Sequence, residues 1–381
     1  MSPTSRNDIV RRSLTAGALG VGAVLSARAL LRPHERATEQ RGLIDWEVVR
    51  QVALDRSGER VRGGLKPDEV RRLSADYDTM AGELAPLLGE VCDRVPFALP
   101  RFLALDRRAF IDANIAIVQR LLEPVEKLRE SMPDSLATKL GQRVLDRYVG
   151  ELMGLMSRRV LGQYDPVLSL GPPEPGDVLA EATLYLVEPN VVPLQREHRL
   201  DGDALRRWLI LHELTHAWQF SQHPWLREHL TGIMRSLMVE GISADGFKLL
   251  GSRELLQRLP GAVRTQLRGV AQVQAVMSVL EGYSNFVMHR VGREHLEHAD
   301  ELEAALHRRR SQRSAFERLV MAVTGLEMKM RQYELGEKFC NAVVERTDLA
   351  TLNRVWESGE AMPSMDELRH PERWVARMAR R

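Results

Sequence analysis

Residues 201–220 read DGDALRRWLILHELTHAWQF, and the rest of the chain is best read outward from them. Asp201 or Asp203 can cap a helix by accepting from its first free amides. Leu205, Trp208, Leu209, Leu211, Leu214, Thr215 and Trp218 then recur at helical spacing. Inside that helix lies His212-Glu213-Leu214-Thr215-His216, an HExxH match. Two histidines four apart stand one turn apart on the same helix face. Their imidazoles can take two corners of a zinc tetrahedron, and Glu213 is placed to act on a water held there. The plain alternative is a pair of core histidines satisfied by hydrogen bonds. Two imidazoles and a carboxylate in one apolar turn are hard to satisfy that way.

A catalytic zinc needs a third protein ligand and an open position. The extended pattern HExxHxxGxxH would put glycine at 219 and histidine at 222, but the chain has Gln219 and Gln222. A third histidine is therefore excluded at that spacing, and a glutamate from a later helix is the alternative. Glu240 and Glu281 are the candidates; each follows an apolar stretch and precedes a glycine. A carboxylate on the buried side of such a helix is unusual unless paired or bound to metal. The run 270–291 is longer and more regularly apolar, which favours Glu281.

The 381 residues, 44% hydrophobic, suffice for one large domain or two moderate ones. Aromatics are sparse, and Leu, Ala, Val, Arg and Glu dominate, which favours helix. A net charge of +2 argues against a nucleic-acid binder driven by bulk charge. Cys92 and Cys340 form no CxxC pair, so a cysteine zinc site is not expected; buried free thiols are the expectation, with one disulfide as the alternative. No Rossmann glycine fingerprint or P-loop appears.

Residues 1–41 read as an N-terminal signal or anchor with a flexible segment. Arg6, Arg11 and Arg12 precede a Gly/Ala-rich apolar run over 13–31 that contains an Ala-x-Ala triplet. Arg11-Arg12 hints at twin-arginine export, and the run is just long enough to span a bilayer. Membrane association or export is the expectation, with a cytoplasmic placement as the alternative.

Residues 42–381 read as one metallohydrolase domain: a helical part at 42–161, a short sheet and active-site helix at 162–222, and a helical part at 223–381. Helical patterns cover 67–95, 106–132, 136–161, 270–289 and 316–345. Gly162 to Gly176, rich in Pro and Gly, reads as a loop. Residues 182–193, ATLYLVEPNVVP, read as a short strand broken at Pro189-Asn190. Such a strand, just before the HExxH helix, could form the edge on which an extended substrate adds, or equally be a plain core hairpin strand. The basic cluster at 307–313 reads as a solvated helix face.

Several segments in order carry a family resemblance. They are Asp45-Trp46, Ser157-Arg158-Arg159-Val160-Leu161-Gly162-Gln163-Tyr164-Asp165, Pro189-Asn190, HELTHAWQF, Pro224-Trp225-Leu226, Leu280-Glu281-Gly282-Tyr283, the run from Leu326 to Tyr333 and Pro371-Glu372-Arg373-Trp374-Val375. The chain resembles the bacterial zincin-like proteins labelled zinc-dependent metalloproteases or hydrolases, including a branch labelled coenzyme F420 biosynthesis-associated. The resemblance implies a mainly α (α+β) zincin-like metallopeptidase fold with a small β-sheet beside the HExxH helix. It implies a Zn2+ cofactor with His212 and His216 as ligands, Glu213 as general base, and Glu281 as third ligand, a gluzincin-type set. The expected activity is a zinc-dependent metallopeptidase or related amide hydrolase acting on a peptide or protein. A low-turnover zinc-binding scaffold of the same fold is the alternative. Tyr283, His289, Tyr164 and Asn190 are candidates for stabilising the oxyanion.

Overall fold

The computed structural model describes residues 43–58, 64–93, 95–129, 136–165, 183–236, 253–311 and 326–381. The segment expected as signal or anchor and the candidate ligand Glu240 lie outside these residues. Among the described residues no helix is long and apolar enough to cross a membrane.

The fold is mainly helical with one small mixed sheet. Helix α1 (Trp46–Ser57) starts at Asp45, whose side chain accepts from the amides of Glu47 and Val48. It stops at Gly58, which takes the left-handed conformation at φ 73. Helix α2 (Pro67–Leu84) carries proline in its first turn, where no amide is needed, and runs into a 3-10 turn (Ala85–Glu90). Strand β1 (Arg101–Leu105) precedes α3 (Arg107–Arg129) and α4 (Leu136–Ser157). Then come β2 (Gly162–Asp165), β3 (Thr183–Val187) and α5 (Glu188–His198).

The sheet order is β1-β3-β2. β1 runs parallel to β3 with Leu103 opposite Tyr185, and β2 runs antiparallel with Tyr164 opposite Leu184. Two expectations are decided here. β3 is the central strand, and its apolar run Leu184-Tyr185-Leu186-Val187 is buried because it is paired on both sides. The strand does end before Pro189-Asn190, at Val187, but a helix follows at once, with the proline in the first turn of α5. The edges are β1 and β2, and the edge that meets the HExxH helix is β2, formed by residues expected to open a loop. A four-residue edge strand need not alternate, so it leaves no period to read.

Helix α6 (Gly202–Gln222) is capped by Asp201, which accepts from the Ala204 amide at 2.7 Å. It is followed by α7 (Trp225–Arg235), the long α8 (Arg253–His295), α9 (Ala299–Ser311) and α10 (Leu326–Arg346). Short helices α11 (Leu349–Asn353), α12 (Met365–Arg369) and α13 (Pro371–Met378) complete the chain. From Trp208 through Phe220 every residue of α6 is buried except His212. Such a helix belongs in the middle of a core, and α6 packs between the sheet, α2 and α8. The main core joins Phe102 and Ala104 of β1, Leu184 and Leu186 of β3, Leu205, Leu211 and Leu214 of α6, and Val279 and Leu280 of α8. A satellite core of Ile44, Val49, Ala53, Ile111, Ile115 and Met153 joins α1, α3 and α4.

The two long helices behind the site touch backbone to backbone. A Cβ on Gly282 of α8 would collide with the main chain of Gly336 in α10, and one on Gly336 would strike the Ser278 carbonyl. Only glycine permits this approach.

Candidate metal centre

His212 and His216 lie on α6 and Glu281 on α8, and the packing of these helices brings the three together. Glu281 Oε2 is 3.4 Å from His212 Nε2 and 3.5 Å from His216 Nε2. The imidazole rings stand at 90° with centroids 5.0 Å apart. These groups can be tested against a metal. Two ligands of a tetrahedral zinc, at bonds of about 2.05 Å, lie roughly 3.3–3.4 Å apart. The donor chemistry and the two measured separations both fit. The side chains are 17%, 11% and 14% exposed, so all three are largely buried.

Glu213 sits beside the triangle at 7% exposure. Burial raises its carboxyl above the ordinary range; His212 and His216 oppose the shift, Glu281 reinforces it, and the Tyr164 amide opposes it by hydrogen bonding. Alternation explains why β2 supplies that amide. The Val187 amide donates to the Leu161 carbonyl, so residues 161, 163 and 165 turn their backbone groups to β3, while Gly162 and Tyr164 turn theirs away. The close approach also needs Gly162, since a Cβ there would stand 2.9 Å from Glu213 Oε1. The other face of β2 meets α3: Gln163 Nε2 donates to Asn114 Oδ1 at 3.3 Å, and Arg120 pairs with Asp165 at 3.0 Å.

Burial alone would lower the pKa of His216. The hydrogen bond and charge of Glu281, then Glu213 and Gln219, outweigh it and push the imidazole up to about 9. A metal on Nε2 must displace that proton.

Of the residues considered for the oxyanion, only Tyr164 touches this group, and through its amide; its ring packs on Phe220 at 5.8 Å. Tyr283 is fully buried and donates to Asn353 Oδ1 at 2.7 Å, in a cluster with Trp218 and Trp356. His289 lies two turns beyond Glu281 and pairs with Glu337 at 2.6 Å. Asn190 donates to the Ser157 and Val160 carbonyls and accepts from Arg107. These three hold the scaffold together. Gly162 and Gln219 were missed as site residues. The spacing of Gln219, three after His216 on a continuing helix, was the available signal. Cys92 and Cys340 are free and buried. A second group of candidate ligands, Glu90, Glu294 and His295, lies exposed on the surface, with His295 paired to Glu90 at 2.5 Å.

A family model described as zincin-like metallopeptidase matches residues 44–375. Among solved structures the chain is similar to one described as a "putative hydrolase with a novel fold" from Chloroflexus aurantiacus. The identity is 32% and the TM-score 0.67, over 89% of this chain and 99% of that one. No curated protein matches the chain.

Proposed function

The chain belongs to the zincin-like metallopeptidase family, and from that premise we propose that it is a zinc-dependent peptidase or related amide hydrolase. His212, His216 and Glu281 would hold the metal, a gluzincin-type set. One observation carries the reading: two histidines and a carboxylate whose ligand atoms cluster within 4.8 Å, with Glu281 3.4 and 3.5 Å from the two imidazoles, beside a buried glutamate. Bound zinc would supply Lewis acidity, polarising the scissile carbonyl and making water easier to deprotonate.

The remaining work falls to the chain. Glu213 accepts a proton from the attacking water at its carboxylate and returns it to the leaving amine. Its burial favours the protonated state that the return step needs, while the two histidines and the Tyr164 amide keep the carboxylate accessible. The outward backbone groups of Gly162, with the Tyr164 carbonyl, offer an extended peptide a strand to pair with. Such a peptide would lie along β2 with its backbone over the triangle. The coenzyme F420 label of the resembling branch rests on no residue of its own, and no part of this reading depends on it.

Metal analysis joined to a peptide-library cleavage assay tests the proposal. The wild type is expected to carry one zinc and to cleave. Glu213→Gln is expected to keep its zinc and lose about 10²–10⁴ in rate. Full activity in that variant would remove Glu213 from the mechanism. Stoichiometric zinc with no cleavage of any library member would favour a scaffold.

A further inference from the structure

The polarity of the hydrogen bonds behind His216 is dictated by one backbone carbonyl. Gln219 is fully buried, one helical turn after His216. Its Nε2 donates to the Leu280 carbonyl at 3.0 Å, and its Oε1 lies 2.9 Å from His216 Nδ1. Side-chain amides have two orientations that differ only in which end carries the hydrogens. Here the choice is forced, because a carbonyl oxygen can only accept. The NH2 group must face Leu280, so Oε1 must face the imidazole. An amide oxygen can only accept, so His216 Nδ1 must carry a hydrogen and Nε2 is the atom left for the triangle. Ser284 fits the same polarity. Its hydroxyl donates to the Leu280 carbonyl at 3.0 Å, leaving its lone pairs toward Gln219 Nε2 at 3.5 Å and His216 Nδ1 at 3.3 Å.

We propose that Gln219 is the positioning residue of the metal centre: it assigns His216 its Nδ1–H form and ties that imidazole to the backbone of the residue before Glu281. One side chain thereby registers a ligand of α6 against the ligand of α8. The position makes this possible. Where a third-histidine site needs glycine at 219 to turn the chain, this helix continues to Gln222 and keeps residue 219 on the face of His216. A neutral amide serves better here than a carboxylate, because it must both accept and donate.

The inference rests on zinc binding at the triangle, and the test separates the two. Zinc affinity is measured by chelator competition for wild type, Gln219→Met and Gln219→Glu, with the melting temperature of each metal-free protein alongside. Methionine keeps the volume and removes both hydrogen bonds; glutamate keeps the acceptor for Nδ1–H. Gln219→Met is expected to bind zinc about 10- to 100-fold more weakly, and Gln219→Glu to recover part of that loss, since it keeps the acceptor for Nδ1–H but sets a carboxylate oxygen against the Leu280 carbonyl. Equal affinity in wild type and Gln219→Met overturns the proposal, as does an equal loss in both variants, which would mark a packing role. The zinc-loaded wild type gives a variant-free check if Gln219→Met does not fold. Histidine 1H–15N spectra are expected to show the His216 proton on Nδ1, slow to exchange; a proton on Nε2 overturns the assignment. A wild type that takes up no zinc overturns the metal reading beneath it instead.

Discussion

Glu213 is gripped from the sheet side by two neighbours of different kinds. Tyr164 gives it an amide hydrogen, and Gly162 gives it space. Gly162→Ala puts a methyl group 2.9 Å from Glu213 Oε1 and 3.0 Å from Leu186 Cδ2, so either the carboxylate or β2 must shift. Misplacing a reacting group by about 1 Å costs on the order of 10²-fold in rate. The variant is therefore expected to keep its zinc while its turnover falls about 10- to 100-fold; unchanged turnover would show that the carboxylate has room to spare. Gly162 was not legible as a site residue, and Tyr164 was legible only as a candidate for the oxyanion, because a backbone amide and a missing Cβ leave no mark on side-chain chemistry. The histidines and Glu213 were legible, because the HExxH spacing on an apolar helix sets two imidazoles one turn apart with a carboxylate beside them. Glu281 was legible as a carboxylate closing an apolar run. Gln219 registered only as a departure from the third-histidine pattern, since its partner is a backbone carbonyl of another helix and leaves no trace in composition.

At the scale of elements, the long periodic helices and the strand within 182–193 are legible in the sequence, though the α-helix expected over 67–95 ends at Leu84 and the one expected from 270 begins at Arg253. β1 matches no segment expected as a strand, and β3 reads equally as an edge or a core strand, because a short apolar run looks alike whether a strand has one neighbour or two. The α1–α4 contact holds a buried acid whose cost the sequence also conceals. Asp146 of α4 is 2% exposed and accepts the Asp45 amide at 2.9 Å, at the cap of α1. Burial, opposed by that hydrogen bond and aided by the charge of Asp45, raises its pKa from 3.8 to about 6. The folded chain thus binds the proton more tightly than the unfolded one, so stability falls as pH rises from about 4 to about 6 and stays lower above. Asp146→Asn retains an acceptor and removes the charge. Denaturant melts are expected to show a flatter pH profile across that window and a gain of about 1–2 kcal/mol at pH 7. Superimposable wild-type and variant profiles would refute this.

For the molecule as a whole, the sheet and α8 hold α6 between them, and α10 backs α8 at the Gly282–Gly336 crossing. The mainly helical character could be anticipated from composition and periodicity, and the small sheet beside the HExxH helix from the family resemblance. The crossing could not, since a glycine after Glu281 reads equally well as a helix end. Gly336→Ala drives a methyl group into the Ser278 carbonyl, forcing two long helices apart. It is expected to destabilise the fold by about 1–3 kcal/mol or more and to weaken zinc binding with it, read by thermal melts with and without metal. A wild-type melting curve would mean the helices can part freely. The crossing has a thermodynamic corollary. Two helices in main-chain contact cannot slide or rotate past one another without a clash, so Glu281 is denied the excursions open to a carboxylate on a loop. Its conformational entropy is surrendered when the chain folds, before any ion arrives. Capture of the metal then orders little that was loose, and the chain should keep the same shape with the site filled or stripped.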